Sequence, residues 1–196
     1  MGRIHGKNIL KRRSDTKPYK DYTRYRNILS EDFCGVCGYC GKVEKICKEK
    51  FQIDHFVPKA IDETRENDYN NLVYSCPICN RNKWDKWPTN DCNIAYNDEE
   101  GFVDPASDDF DMHMNRDDDG GIIPLTNVGK YIHRELKFDI RPIKESWMSE
   151  MLYDKKKELG AYISKNEDKI DISKLIEYYK ISEKLDELQE FLFLRR

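Results

Sequence analysis

The sequence predicts an α+β protein, with a small strand–strand–helix core and a helical C-terminal extension. Three observations carry this expectation. Two Cys-x-x-Cys pairs, Cys37-Gly-Tyr-Cys40 and Cys76-Pro-Ile-Cys79, stand with 35 residues between them. Two short strand-like runs lie in that interval, and a helix opens after the second. From Pro142 onward, apolar residues recur every three or four positions, which is the helical period.

Four zones follow along the chain. Residues 1–30 form a basic arm, helical from about Tyr19 to Leu29. Its Tyr19, Tyr22 and Tyr25 interleave with charges; such rings stack on bases or pack on their own domain. Residues 31–90 form the core and hold six of the seven cysteines. Within it, residues 50–54 alternate like a strand, and Pro58 ends the run. Polar residues 62–71 make a loop, and Leu72-Val73-Tyr74 gives the second strand. Ser75 or Cys76 caps the helix, and Pro77 is tolerated in its first turn. The helix stops at Trp87-Pro88, and Trp84 and Trp87 cover the core.

Residues 91–140 are an acidic, turn-rich segment packed on the core. Its strand-like runs are Gly121-Ile122-Ile123-Pro124 and Lys130-Tyr131-Ile132. Residues 141–196 form the C-terminal helices. Pro142 suits a first turn, and Ile143, Trp147, Met151 and Leu152 keep helical spacing. Asp171 is an N-cap for a second helix whose stripe is Leu175, Ile176, Tyr179, Leu185, Leu188 and Leu192.

The cysteines point to a metal. The N-terminus lacks an apolar signal core, and no run approaches the roughly 18–20 residues of a membrane helix. A cytoplasmic chain keeps its thiols reduced, so seven cysteines suggest metal before disulfides. Zinc takes four thiolates tetrahedrally in structural sites. Two knuckles, Cys37/Cys40 and Cys76/Cys79, close such a shell and staple the base of the inserted element. Cys34-Gly-Val-Cys37 is a Cys-x-x-Cys as well, which leaves the first knuckle open to a shift of three. Gly41, which allows a tight turn after Cys40, favours Cys37/Cys40. Cys34, Cys47 and Cys92 read as ordinary residues.

The net charge is −3, which excludes a bulk nucleic-acid binder. The charge is polarised, however. Residues 1–26 carry nine Lys and Arg against two Asp, and residues 98–119 carry ten acids against Arg116. The arm suits phosphates. The acidic zone must face away from them or toward a basic partner.

Cys37-x-x-Cys40, Ile53-Asp54-His55-Phe56-x-Pro58, Asn71-Leu72 and Cys76-x-x-Cys79-Asn80-x-x-Lys83 agree in order and spacing with one pattern. Residues 37–83 resemble the HNH endonuclease family, whose fold is the ββα-metal finger. The resemblance implies a general base at His55, a metal ligand at Asp54, and Asn71 fixing the loop behind the histidine. Asn80 stands at the third motif position, where many members have His. His5, His113 and His133 match no motif position and read as structural or surface residues.

Chemistry agrees with these roles. Phosphodiester hydrolysis needs a deprotonated water and positive charge near the departing oxygen. A neutral imidazole takes the proton, and one Mg²⁺ holds phosphate oxygens. Asp54 and Asn80 offer the oxygen ligands that Mg²⁺ or Mn²⁺ prefers. Neighbours on a regular strand point to opposite faces, so Asp54 and His55 reach one metal only where the strand bends. DNA is the expected substrate, with Lys11, Arg12, Arg13 and Lys83 as its contacts.

Two other readings accompany this one. Gly101-Phe102-Val103-Asp104-Pro105 and Leu136-Lys137-Phe138 resemble HNH proteins of bacterial anti-phage systems. That resemblance implies a nuclease subunit silent until an ATPase partner binds. The other is a zinc-stabilised DNA-binding module without catalysis.

Overall fold

A computed structural model of the chain describes residues 2–47, 49–166, 169 and 171–194. The first residue of the arm and the last two of the C-terminal helices lie outside this range. The protein is α+β and divides into two compact units, Met1–Arg141 and Pro142–Arg196.

The first unit is built on a strand–strand–helix element. Strand β1 (Gln52–His55) pairs antiparallel with β2 (Leu72–Ser75), and the register sets Asp54 opposite Val73 and His55 opposite Leu72. β2 is buried throughout. Helix α2 (Pro77–Lys83) follows at once, with Cys76 as N-cap and Pro77 in its first turn. It stops at Lys83, earlier than the sequence suggested, because Trp84 takes a left-handed conformation (φ 49°). Trp84 therefore points to solvent, 70% exposed, whereas Trp87 is buried edge-on against Phe56. The polar loop between the strands contains two 3-10 turns, Glu63–Arg65 and Tyr69–Asn71.

The basic arm is part of this unit. A 3-10 turn (Tyr22–Tyr25) leads into helix α1 (Arg26–Asp32), so the helix starts later than the sequence suggested. Tyr25 is buried between Tyr19 and Tyr69. Gly2 bridges to Arg116, and the buried Arg116 guanidinium donates to the carbonyls of Ile4 and Cys40 at 2.9 Å. Gly41 (φ 72°) lies beneath this crossing, and a Cβ there would stand 2.4 Å from the Ile4 carbonyl oxygen.

Helix α3 (Phe110–His113), strands β3 (Met114–Arg116) and β4 (Ile122–Pro124) and helix α4 (Asn127–Glu135) complete the unit. β3 and β4 pair antiparallel. The strand expected at Lys130-Tyr131-Ile132 is helix instead. Thr126 caps α4 through Gly129 N–H, and Val128, Tyr131 and Ile132 bury one face at helical spacing.

The second unit is a pair of 23-residue helices, α5 (Ile143–Lys165) and α6 (Ile172–Leu194). Pro142 is the N-cap of α5 rather than a first-turn residue. Asp171 accepts from Ser173 N–H at 2.8 Å, as a cap does. The helices meet where Lys155 pairs with Glu177 (2.6 Å) and Lys156 lies over the Tyr178 ring. The buried stripe of α6 is Ile181, Leu185 and Leu188; Leu175, Ile176 and Tyr179 are exposed. No helix among the described residues is long and apolar enough to cross a membrane.

Candidate active site

The four cysteines form one cluster. Cys37, Cys40, Cys76 and Cys79 are buried free thiols, with their sulfurs all within 4.8 Å of one another. Cys40 and Cys76 sulfurs are 3.9 Å apart. Tetrahedral zinc with bonds near 2.3 Å holds its sulfurs about 3.8 Å apart, so the set fits zinc. Cys34 is exposed and outside the cluster. The first knuckle is therefore Cys37/Cys40.

Arg141 caps this cluster, and nothing in the sequence pattern announced it. Its Nη1 donates to Cys79 Sγ at 3.2 Å, and its Nη2 lies 3.8 Å from the sulfurs of Cys40 and Cys76. Burial opposes its charge, yet the neighbouring sulfurs hold its pKa above the ordinary guanidinium value. A guanidinium against four thiolates offsets part of the negative charge that a divalent ion leaves behind.

β1 carries the next two residues on opposite faces. Its pairing stays regular through His55, and the Phe56 N–H continues it to the Asn71 carbonyl. The bend that would bring Asp54 and His55 to one face is thus absent from β1. Asp54 is buried. Its Oδ2 accepts from the Tyr39 hydroxyl at 2.5 Å and pairs with Lys83 Nζ at 3.1 Å. Burial pushes the Asp54 carboxyl up, while Lys83 and Tyr39 pull it down. Lys83 Nζ also donates to the His55 carbonyl at 2.8 Å.

His55 is half-buried. Its Nε2 lies 2.9 Å from the Glu66 carbonyl. A carbonyl only accepts, so a neutral ring in this pose carries its proton on Nε2 and its lone pair on Nδ1. Burial holds the imidazole pKa below its ordinary value, against the Glu66 bond and the charge of Asp54. Tyr22 meets the ring edge-on, centroids 4.7 Å apart.

Asn71 ties the loop behind this histidine. Its amide bonds both backbone groups of Val57 and reaches the Arg65 carbonyl, next to Glu66. Asn80 sits one turn before Lys83 on α2. Its Nδ2 donates to Gln52 Oε1 at 2.7 Å, so its amide oxygen is the group left for a cation. Gln52 and Asp54 alternate onto one face of β1, and Asn80 and Lys83 meet that face from the helix.

Residues 37–86 match the family model of HNH endonuclease. The matched segment includes both cysteine knuckles, β1, β2 and α2. No curated protein and no solved structure matches the chain.

The residues expected to contact nucleic acid, in residues 37–86 and in the arm, have different surroundings in the structure. Lys83 has 0% side-chain exposure and serves Asp54; in this pose it reaches no phosphate. Arg12 is engaged by both carboxylate oxygens of Asp104, at 2.7 and 3.0 Å, and by the Leu72 carbonyl. Arg13 pairs with Glu31 and Asp32. Lys11 remains exposed. Part of the acidic zone thus neutralises the arm: Asp104 takes Arg12, and Asp111 takes Arg3. Composition shows both charge blocks but not that they meet.

Proposed function

We propose that the protein is a metal-dependent endonuclease that hydrolyses phosphodiester bonds in DNA. One observation carries the reading. A half-buried histidine with a lone pair free of its orienting bond ends β1, whose opposite face bears a buried carboxylate and an amide oxygen. The HNH match over the same residues supports it.

His55 is the general base. Its Nε2 is engaged by Glu66, and Nδ1 accepts the proton of the attacking water. Asp54 and the amide oxygen of Asn80 hold one divalent cation. Both are hard oxygen donors, which suits Mg²⁺ or Mn²⁺ rather than a softer ion. Bound there, the ion would supply positive charge to the scissile phosphate. A phosphodiester lying across the end of β1 meets the imidazole from one side and the carboxylate from the other. Asn71 and Glu66 orient the imidazole, and the cysteine cluster, loaded with zinc, holds the two halves of the element together.

The test is cleavage of supercoiled, linear and single-stranded DNA with Mg²⁺, Mn²⁺ or Zn²⁺, using wild type and His55→Ala. Metal-dependent cleavage by wild type, lost in the variant, is expected. Equal cleavage by the two would remove His55 from the mechanism. DNA binding without cleavage under every metal would leave the zinc-stabilised binding module.

A further inference from the structure

We infer that Tyr39 is a positioning residue for Asp54, and that through it the cysteine knuckle sets the geometry of the candidate catalytic metal site. The inference rests on the nuclease reading for the role of Asp54. It adds a working link between two sites that otherwise have separate tasks.

Tyr39 stands between two ligands of the cluster, Cys37 and Cys40. Its backbone has little freedom. The neighbouring Gly38 N–H donates to the Tyr74 carbonyl on β2 at 2.8 Å, and Cys37 N–H donates to the Lys42 carbonyl at 2.8 Å. The knuckle also packs closely at Gly38: a Cβ there would stand 2.9 Å from Phe33 and from Val73. A metal drawing Cys37 and Cys40 to fixed positions therefore fixes the Tyr39 Cα as well. The side chain is fully buried and rigid, with two torsions to the ring. Its hydroxyl arrives 2.5 Å from Asp54 Oδ2.

At Asp54 the two donors share one oxygen. Tyr39 donates to Oδ2, and the Lys83 ammonium lies 3.1 Å from the same atom. A carboxylate held by one oxygen presents the other in a fixed direction, which is what a cation with strict octahedral demands requires. Lys83 brings charge on a flexible stem, and it is shared with the His55 carbonyl. Tyr39 brings direction, because its oxygen has no torsional freedom beyond the ring. Outer partners of this kind govern ligand orientation in metal sites.

Tyr39→Phe removes a single oxygen and keeps the ring that packs the knuckle. Zinc-loaded wild type, Tyr39→Phe and Asp54→Asn are compared by calorimetric titration with Mn²⁺, by zinc content and by the Mn²⁺ dependence of cleavage. The relevant Mn²⁺ site is the one that Asp54→Asn loses. In Tyr39→Phe, its dissociation constant should rise about 10–100-fold, as for other outer-partner losses, with zinc content unchanged. Half-maximal cleavage should need correspondingly more Mn²⁺ and recover at high metal. Unchanged Mn²⁺ affinity in Tyr39→Phe overturns the inference. Loss of zinc in that variant overturns it too, since the hydroxyl would then serve the knuckle itself. Wild type that neither binds Mn²⁺ at Asp54 nor cleaves DNA refutes the nuclease reading instead, so the two failures are distinct.

Discussion

Asn71 holds Val57 by both ends of its side-chain amide: Val57 N–H donates to Asn71 Oδ1 at 2.8 Å, and Asn71 Nδ2 donates to the Val57 carbonyl at 3.0 Å. Both residues are buried. Asn71→Ala orphans two backbone groups, each at a cost of about 1–3 kcal/mol. Denaturant unfolding should show that loss, and Asn71→Asp, which keeps the acceptor, should recover part of it. Cleavage should fall less than in His55→Ala, because the imidazole stays in place but its loop loosens.

His55→Ala should lower cleavage by about 10²–10⁴ while leaving zinc content and folding intact. Added metal should not rescue it. Asp54→Asn and Asn80→Ala remove metal ligands, so high Mg²⁺ or Mn²⁺ should recover part of their activity. Asp54→Ala is a different experiment. Asp54→Asn removes the counter-charge of buried Lys83 but keeps an oxygen acceptor for it; Asp54→Ala leaves it with neither, a loss of about 3–5 kcal/mol, and should be expressed poorly. Rate measurements against metal concentration for the four proteins separate these outcomes.

The pH profile should extend further into acid than a free histidine allows. A base works only when unprotonated, and burial lowers the His55 pKa from its ordinary value of 6.5. Activity should therefore persist as pH falls through 6.5 and disappear only below it. The same shift has a stability sign: the unfolded chain takes up this proton first, so His55 favours unfolding as pH drops below 6.5. An NMR titration of the His55 ring gives the midpoint directly. A midpoint at or above 6.5 would contradict the burial argument.

Lys11 and Arg12 should behave differently despite being neighbours. Lys11 is exposed, so Lys11→Ala should weaken DNA binding and reduce the salt slope by about one. The Arg12 guanidinium is committed to Asp104 and the Leu72 carbonyl. Arg12→Ala should cost stability and leave the salt slope unchanged. Binding isotherms at several salt concentrations, beside thermal melts, tell the two apart.

Removing zinc should unfold the first unit. Structural zinc binding is coupled to folding, and Cys76 is both a cluster member and the N-cap of α2. Cys76→Ser should lose zinc and structure together, whereas Cys34→Ser, outside the cluster, should keep both. Metal analysis with circular dichroism reads each result.

The strand–strand–helix element was legible because local chemistry dictated it: alternation from Gln52, Pro58 as a stop, and Cys76-Pro77 as a helix start. The knuckle residues were legible by spacing, although only the structure, with Cys34 exposed and outside the sulfur cluster, decides the first pair. What escaped was long-range. Tyr39, Lys83 and Arg141 have local patterns that fit a knuckle, a basic helix end and a turn. Their partners, Asp54 and the cluster sulfurs, lie 15 to 101 residues away. Lys130-Tyr131-Ile132 misled for a related reason: a three-residue apolar run has no period of its own, and the Thr126 cap decides it.

The crossing of Arg116 over Ile4 and Cys40 spans 112 residues of chain. A ribosome releases Cys79 well before Arg116 and Arg141 emerge. The four sulfurs are therefore all available for metal while Arg141, whose guanidinium caps them, and Arg116, which ties Ile4 to Cys40, are still unmade. Growth of the protein thus allows an order in which a metal is captured first by an open finger and Arg116 bridges the N-terminal segment to it afterwards. Fragments ending before residue 116 would be expected to exchange their metal faster than the full chain, because ligand capture and enclosure are encoded in separate stretches of the sequence.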